Sequence, residues 1–348
     1  MVAATLVIAA VIAAILIPMR ASAQGCEPIR FNTPVSLGGQ GEAYQRQNEW
    51  RLTLGYRHLY SDEWFVGTAD ASGRGPGGES PVLKINTLIA DVAYAPTERF
   101  QFHLGVPFSR GSQTSIWPDK VHHTQSVTGI GDISVLGEGW LLAPRTHRAG
   151  NVSIGLGVKA PTGSHHASSF VYTATAAVSH PADQTVQPGD GGWAILVQSQ
   201  AFRQVTERVY GYAFGSYAVS PKARSDVEFR PGSGVYWSVP DIYSARAGAA
   251  FSVLPDQGLT LSLGGRMDGI PLRDLIGGGD DDTIKRTSRV IFVDPGLSLT
   301  RGKDNFTVSV PWRVSVNRFK SLYESRTNSL NAGGFAKYLI FASYSRRL

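Results

Sequence analysis

The residues Asn305 to Asn317, NFTVSVPWRVSVN, divide by parity. Phe306, Val308, Val310, Trp312, Val314 and Val316 fall on one side, and Thr307, Ser309, Pro311, Arg313, Ser315 and Asn317 on the other. Successive side chains of a strand point to opposite faces, so this stretch presents one apolar and one polar face. It is longer than a usual strand of a soluble sheet. Roughly ten residues of alternating character are what a strand needs when lipid lies outside and water inside.

The same alternation recurs along the chain. Trp50 to Tyr60 is the first strand and Val82 to Ala95 the second. Phe100 to Phe108, Gly131 to Leu142 and Val152 to Ala160 follow, then Trp193 to Gln204, Arg208 to Ser220 and Ile242 to Val253. The series ends with the strand beginning at Leu259, Arg289 to Thr300, Asn305 to Asn317 and Phe335 to Leu348. Links after odd strands are long: Ser61–Ser80, Gly111–Thr128, Pro161–Gly192, Pro221–Pro240, Ile270–Ser288 and Phe319–Gly334. Links after even strands are short. This rhythm predicts an all-β, transmembrane antiparallel up-and-down β-barrel of about 12 strands, with long extracellular loops and short periplasmic turns. In lipid the sheet must close, because no backbone group can be left unpaired. A secreted β-sandwich also alternates, but it does not require this rhythm.

The flanks fit an exported chain. Val2 to Ile17 is apolar apart from Thr5 and leads to Ala21-Ser22-Ala23, so residues 1–23 read as a signal peptide cut after Ala23. No Lys or Arg precedes that run. Residues 24–48 read as an irregular segment, periplasmic or lumenal, and 49–348 as the barrel. Cys26 is the only cysteine, so no internal disulfide forms, and it reads as a free thiol. The formal charge of +6 becomes +5 once Arg20 leaves with the signal (+6 − 1). That charge is diffuse and has no basic cluster interleaved with aromatics, which argues against nucleic acid as a partner.

Parity assigns the interior. Arg51, Arg57, His103, Asp132, Glu138, Lys159, Arg266, Asp268, Arg313 and Lys337 fall on the inward side as lumen-lining residues. Eight strands give a filled interior and sixteen an aqueous channel, so twelve predict a narrow lumen whose charges decide what passes. The competing reading is an interior network of ion pairs serving stability alone. Trp50, Tyr60, Trp193, Tyr217 and Tyr344 lie near strand ends as an aromatic girdle. Trp312 looks mid-strand, and Trp117 and Trp237 look like loop residues. The expected partners are outer-membrane lipid and lipopolysaccharide, the barrel-assembly machinery through the aromatic C-terminal strand, and small-molecule solutes. No cofactor is expected.

Gly129-Ile130-Gly131-Asp132-Ile133-Ser134, followed by Gly155-Leu156-Gly157-Val158-Lys159-Ala160-Pro161-Thr162-Gly163, resembles the outer-membrane barrel family named for the MetA pathway of phenol degradation. Members of that family are regarded as transporters. The resemblance implies architecture and a transport role, with passage of aromatic or hydrophobic molecules suggested only by the family's name. It is sharpest over 129–163 and carries no catalytic residues with it.

Other chemistries read more weakly. His166-Ala167-Ser168 resembles the His-x-Ser element of barrel lipid A deacylases but lies in the longest loop, and no Gly-His-Ser-Asn-Gly element is present. Gly279-Asp280-Asp281-Asp282 lacks EF-hand spacing. The pairs His122-His123 and His165-His166 are expected to point apart, as neighbours on a strand do. No metal is therefore expected. The remaining alternative to a channel is a structural or surface-interaction barrel acting through its loops.

Overall fold

The computed structural model describes residues 44–74, 78–277, 283–329 and 332–348. The expected signal peptide, Cys26, most of the 24–48 segment and the core of the GGGDDD loop lie outside these. Among the described residues, twelve strands form one closed antiparallel barrel. They are β1 (Glu49–Ser61), β2 (Val82–Ala95), β3 (Phe100–Ile116), β4 (His122–Ile130 and Ser134–Trp140), β5 (Gly150–Lys159) and β6 (Ala194–Gln204). Then come β7 (Val209–Val219), β8 (Ile242–Leu254), β9 (Leu259–Ile270), β10 (Ser288–Arg301), β11 (Asp304–Ser309 and Trp312–Arg318) and β12 (Tyr338–Arg347). Each strand pairs with its sequence neighbours, and β12 closes on β1 from Arg51↔Arg347 to Tyr60↔Tyr338.

The wall is turned outward relative to a soluble protein. Leu54, Leu156 and Leu263 are 52, 64 and 61% exposed, while Ser153, Lys159, Asp268 and Asp294 are buried. Such a belt of leucine would be an aggregation surface in water and is the expected surface against lipid. No helix among the described residues is long and apolar enough to cross a membrane; the strands do the crossing.

Two strands differ from the alternation read in the sequence. The stretch from Asn305 is not one strand: it breaks at Val310 and Pro311 and resumes at Trp312. The register then slips, Phe292 facing Arg313 but Ile291 facing Ser315, so Val314 is an extra residue in a bulge. Beyond it the faces exchange. Val314 stays exposed, whereas Val316 turns into an interior apolar cluster with Leu59, Leu83, Val290, Phe292 and Leu339. Pro311, lacking an N–H, is what a strand can lose from its ladder at such a break. Likewise β4 is interrupted at Gly131–Ile133, and inward residues change from odd (Gln125, Val127) to even (Leu136, Glu138) across the gap.

The expected loops are partly built. Gly111–Thr128 is mostly the tip of a long hairpin, since β3 runs on to Ile116 and pairs with His122–Ile130. Pro161–Gly192 carries a hairpin, Ser168–Tyr172 with Ala177–Pro181, and a second paired segment, Arg224–Glu228 with Tyr236–Ser238, lies in the next loop. The last loop holds helix α1 (Leu322–Arg326), capped by a Ser321–Glu324 box and tied down by Arg318 to Glu324 at 2.8 Å. Residues 182–192 return into the barrel instead of remaining in solvent. Gln184, Thr185, Val186, Gln187 and Asp190 are all buried, and Val186 joins the interior cluster of Val127 and Ile85.

Candidate functional site

The lumen is built from the inward faces of the strands. Toward the short-turn end, His103 on β3 lies with Nδ1 3.3 Å from Asp91 Oδ1 and Nε2 3.5 Å from Glu138 Oε2. Glu138 also accepts from Gln101 Nε2 at 2.8 Å and from the hydroxyl of Ser153. Arg51 lies within electrostatic range of Asp91 and Glu138. Below them Tyr44 packs edge-on against Trp140 and Phe202, with centroids 4.8 and 5.6 Å away, and donates to the His147 carbonyl at 2.7 Å. The described end of the 24–48 segment therefore lies against the inner wall.

Higher in the lumen, Lys159 ends β5 and pairs with both Asp132, at 3.4 Å, and Asp190. Asp132 also accepts from the backbone N–H groups of Gly163 and Asp190, each at 2.9 Å. This carboxylate sits in the gap of β4, where the interrupted ladder leaves room for the returning loop. Gly163 and Gly189 cross there so closely that a Cβ on Gly163 would stand 2.7 Å from Gly189 Cα. Arg286 fixes the other end of the returning segment through two contacts of 3.1 Å to Asp183.

Across the lumen stand three arginines. Arg57 donates to Thr87 Oγ1 at 3.0 Å. Arg266 donates from Nε to Asp268 Oδ2 at 2.7 Å, and Asp268 also accepts from Ser244 Oγ at 2.6 Å. Arg246 Nε lies 2.5 Å from Asp294 Oδ2. Arg246 Nη2 and Arg266 Nη2 make no hydrogen bond among the described residues. All three arginines line one cavity of about 60 Å³. It shares Ile89 and Ser244 with a second of about 60 Å³ beside Asp91, His103 and Asp132, and shares Arg57 with a third of about 20 Å³ under Thr185 to Pro188.

In the structure Arg57, His103, Asp132, Glu138, Lys159, Arg266 and Asp268 are buried, and Arg51 is half-buried. Arg313 turns inward to the Phe335 carbonyl at 2.7 Å and to Glu63, its guanidinium 4.5 Å from the Phe65 ring. Lys337 is a correction: it precedes β12, its side chain is 64% exposed, and its Nζ lies 3.7 Å from Glu63. The parity rule fails there because the chain is not yet in the ladder. Sequence reading missed Arg246 and Asp294. Arg246 shares parity with Ser244 and was legible; Asp294 lies among Val290 and Phe292 and was not.

Of the residues expected to form a girdle, Trp50 packs on Tyr94 with centroids 4.6 Å apart and Tyr344 on Phe306 at 4.8 Å, near the short-turn end. Tyr60, Trp193 and Tyr217 lie toward the other end, Tyr217 donating to Asp241 at 2.9 Å. Trp312 is not mid-strand: after the break it faces Tyr338, which faces Tyr60 on β1.

Outside the wall, the loop histidines depart from expectation. His165 and His166 lie in no strand, and their Nε2 atoms converge to 2.9 Å. His166 Nε2 is also 3.1 Å from Asp226 Oδ1. Burial, and then the charge of His166, push His165 down to about 4. The Ser168 hydroxyl donates to the His166 carbonyl at 3.4 Å and not to its ring.

No protein-family model and no curated protein matches this chain. Solved structures do. The crystal structure of an outer membrane channel from Pseudomonas putida F1 is 15% identical, covering 91% of this chain and 100% of that one, with a TM-score of 0.62. The β domain of the Bordetella autotransporter BrkA is 8% identical over 87% of this chain and 99% of its own, TM-score 0.45. The toluene transporter TbuX of Ralstonia pickettii is 9% identical over 87% and 90%, TM-score 0.42. The fold is that of outer-membrane barrels.

Proposed function

We propose that this chain is a narrow outer-membrane channel that passes small solutes passively and favours anions. One observation carries the reading: the cavities inside the barrel share lining residues, and the one lined by Arg57, Arg246 and Arg266 is bordered by guanidinium groups of which Arg246 Nη2 and Arg266 Nη2 make no hydrogen bond among the described residues. A network serving stability alone leaves few buried donors unpaired. Around the cavity that they line, Arg57, Arg246 and Arg266 set three positive charges against the two negative charges of Asp268 and Asp294, a local excess of one, while the adjoining cavity carries Asp91 and Asp132 beside His103. The Pseudomonas putida F1 protein of the same fold is itself a channel, which agrees with this reading.

The long-loop end then faces the cell exterior, the leucine belt meets lipid and lipopolysaccharide, and β12 is the strand presented to the assembly machinery. The resemblance of 129–163 to the phenol-pathway barrels stays a matter of strand and turn signatures around Asp132 and Lys159. It adds aromatic solutes as a class to assay.

The test is conductance in a planar bilayer with a potassium chloride gradient. Discrete steps whose reversal potential favours chloride are expected, with the preference reduced in Arg246→Gln and Arg266→Gln. A folded barrel that passes no ions would end the channel reading and turn attention to the loops.

A further inference from the structure

We propose that His165, His166 and Asp226 form a site for a divalent transition-metal ion that ties two long loops together, a reading independent of whether the lumen conducts. One ligand atom from each of the three lies within 4.8 Å of the others. The two Nε2 atoms are 2.9 Å apart, and His166 Nε2 is 3.1 Å from Asp226 Oδ1. Around an ion at a metal–nitrogen distance of roughly 2.0–2.1 Å, ligand atoms are about 2.9 Å apart at right angles and about 3.3 Å apart in a tetrahedron. Both of these spacings fall within that interval; the two rings, with centroids 3.5 Å apart, splay outward to point both lone pairs at one ion.

A proton satisfies this triangle less well than an ion does. If His166 Nε2 carries hydrogen toward Asp226, it has no lone pair for His165. If instead it accepts from His165, it turns a lone pair toward a carboxylate oxygen. A single cation accepts the lone pairs of all three atoms at once. Two imidazoles and one carboxylate suit zinc, copper, iron or nickel better than calcium or magnesium, which prefer all-oxygen shells.

The placement gives the site a consequence. His165 and His166 stand between Gly163, which donates to Asp132 in the lumen, and the Ser168–Pro181 hairpin. Asp226 lies on the Arg224–Glu228 strand of the next loop. An ion there would join the loop that enters the barrel to the next long loop. Asp226 and His166 are about half exposed, so the ion enters from outside without passing the lumen.

The experiment is isothermal titration of zinc alone into the detergent-purified full chain without a histidine tag. His166→Ala and Asp226→Asn are compared with the parent, and each is checked for folding by its heat-modifiable gel shift. Expected is one saturable site per chain, lost in His166→Ala and weakened at least about tenfold in Asp226→Asn. No saturable binding by the folded parent would overturn the proposal. So would binding that both variants retain unchanged, which would move the site to the separate pair His122 and His123.

Discussion

Lys159 and Asp190 form an ion pair inside the barrel with essentially no exposed surface on either side chain, 0 and 1%. Asp132 shares the same ammonium at 3.4 Å. Replacing Lys159 with Met leaves two buried carboxylates without the ammonium they share. Breaking a buried pair by removing one partner costs about 3–5 kcal/mol. Lys159→Met is therefore expected to lower the temperature of the heat-modifiability transition, and the double variant with Asp190→Asn to recover part of the loss. Equal stability of Lys159→Met and the parent would show that the pair holds nothing.

Gly163 and Gly189 cross where a side chain on either would meet backbone within 3 Å. Backbone cannot yield as the end of a flexible side chain can. Gly163→Val is expected to expel residues 182–192 from the lumen and raise single-channel current while the barrel still folds. An unchanged current would mean that this segment does not set the bore.

Val314 and Val316 have the same sequence parity and opposite surroundings, 61 and 7% exposed. Cysteine at 314 should react readily with a lipid-soluble maleimide in vesicles. Cysteine at 316 should be protected until the protein is unfolded. Equal reactivity would remove the bulge between them.

Asp183 sits below the usual aspartate range. Burial alone would raise it, but the charge and hydrogen bonds of Arg286, with those of Thr185, outweigh that. For a depressed carboxyl the stabilisation is complete above the unfolded value of 3.8 and is lost as pH falls through the lower folded one. Conductance through the segment it anchors should therefore hold steady from neutrality to about pH 4 and rise below it. Arg286→Gln should show the higher conductance already at neutral pH. A rise in the parent centred well above pH 4 would contradict this assignment.

Strand positions were legible because lipid outside and polar groups inside impose a period of two on nearly every strand. Val82–Ala95 matches to the residue. What escaped were the places where the period is kept in sequence but broken in space. Across Pro311 the letters continue to alternate while a bulge exchanges the faces, and nothing in VPWRVSV marks Val314 as the extra residue. The returning segment QTVQPGDGG reads as a solvent loop because its groups are polar. It is buried because Asp132, Lys159 and Arg286, distant in sequence, supply its partners. The convergence of His165 and His166 escaped because a strand rule was applied to residues that form no strand.

Pairing of β1 with β12 means that the first strand of the barrel waits for its last one. Until Tyr338–Arg347 leaves the ribosome, Arg51 to Tyr60 has only one of its two neighbours, and both edges of the sheet stay open. Order of synthesis therefore cannot be order of folding. The sheet cannot seal until the chain is whole, and losing Tyr338–Arg347 would unseal its beginning as surely as its end.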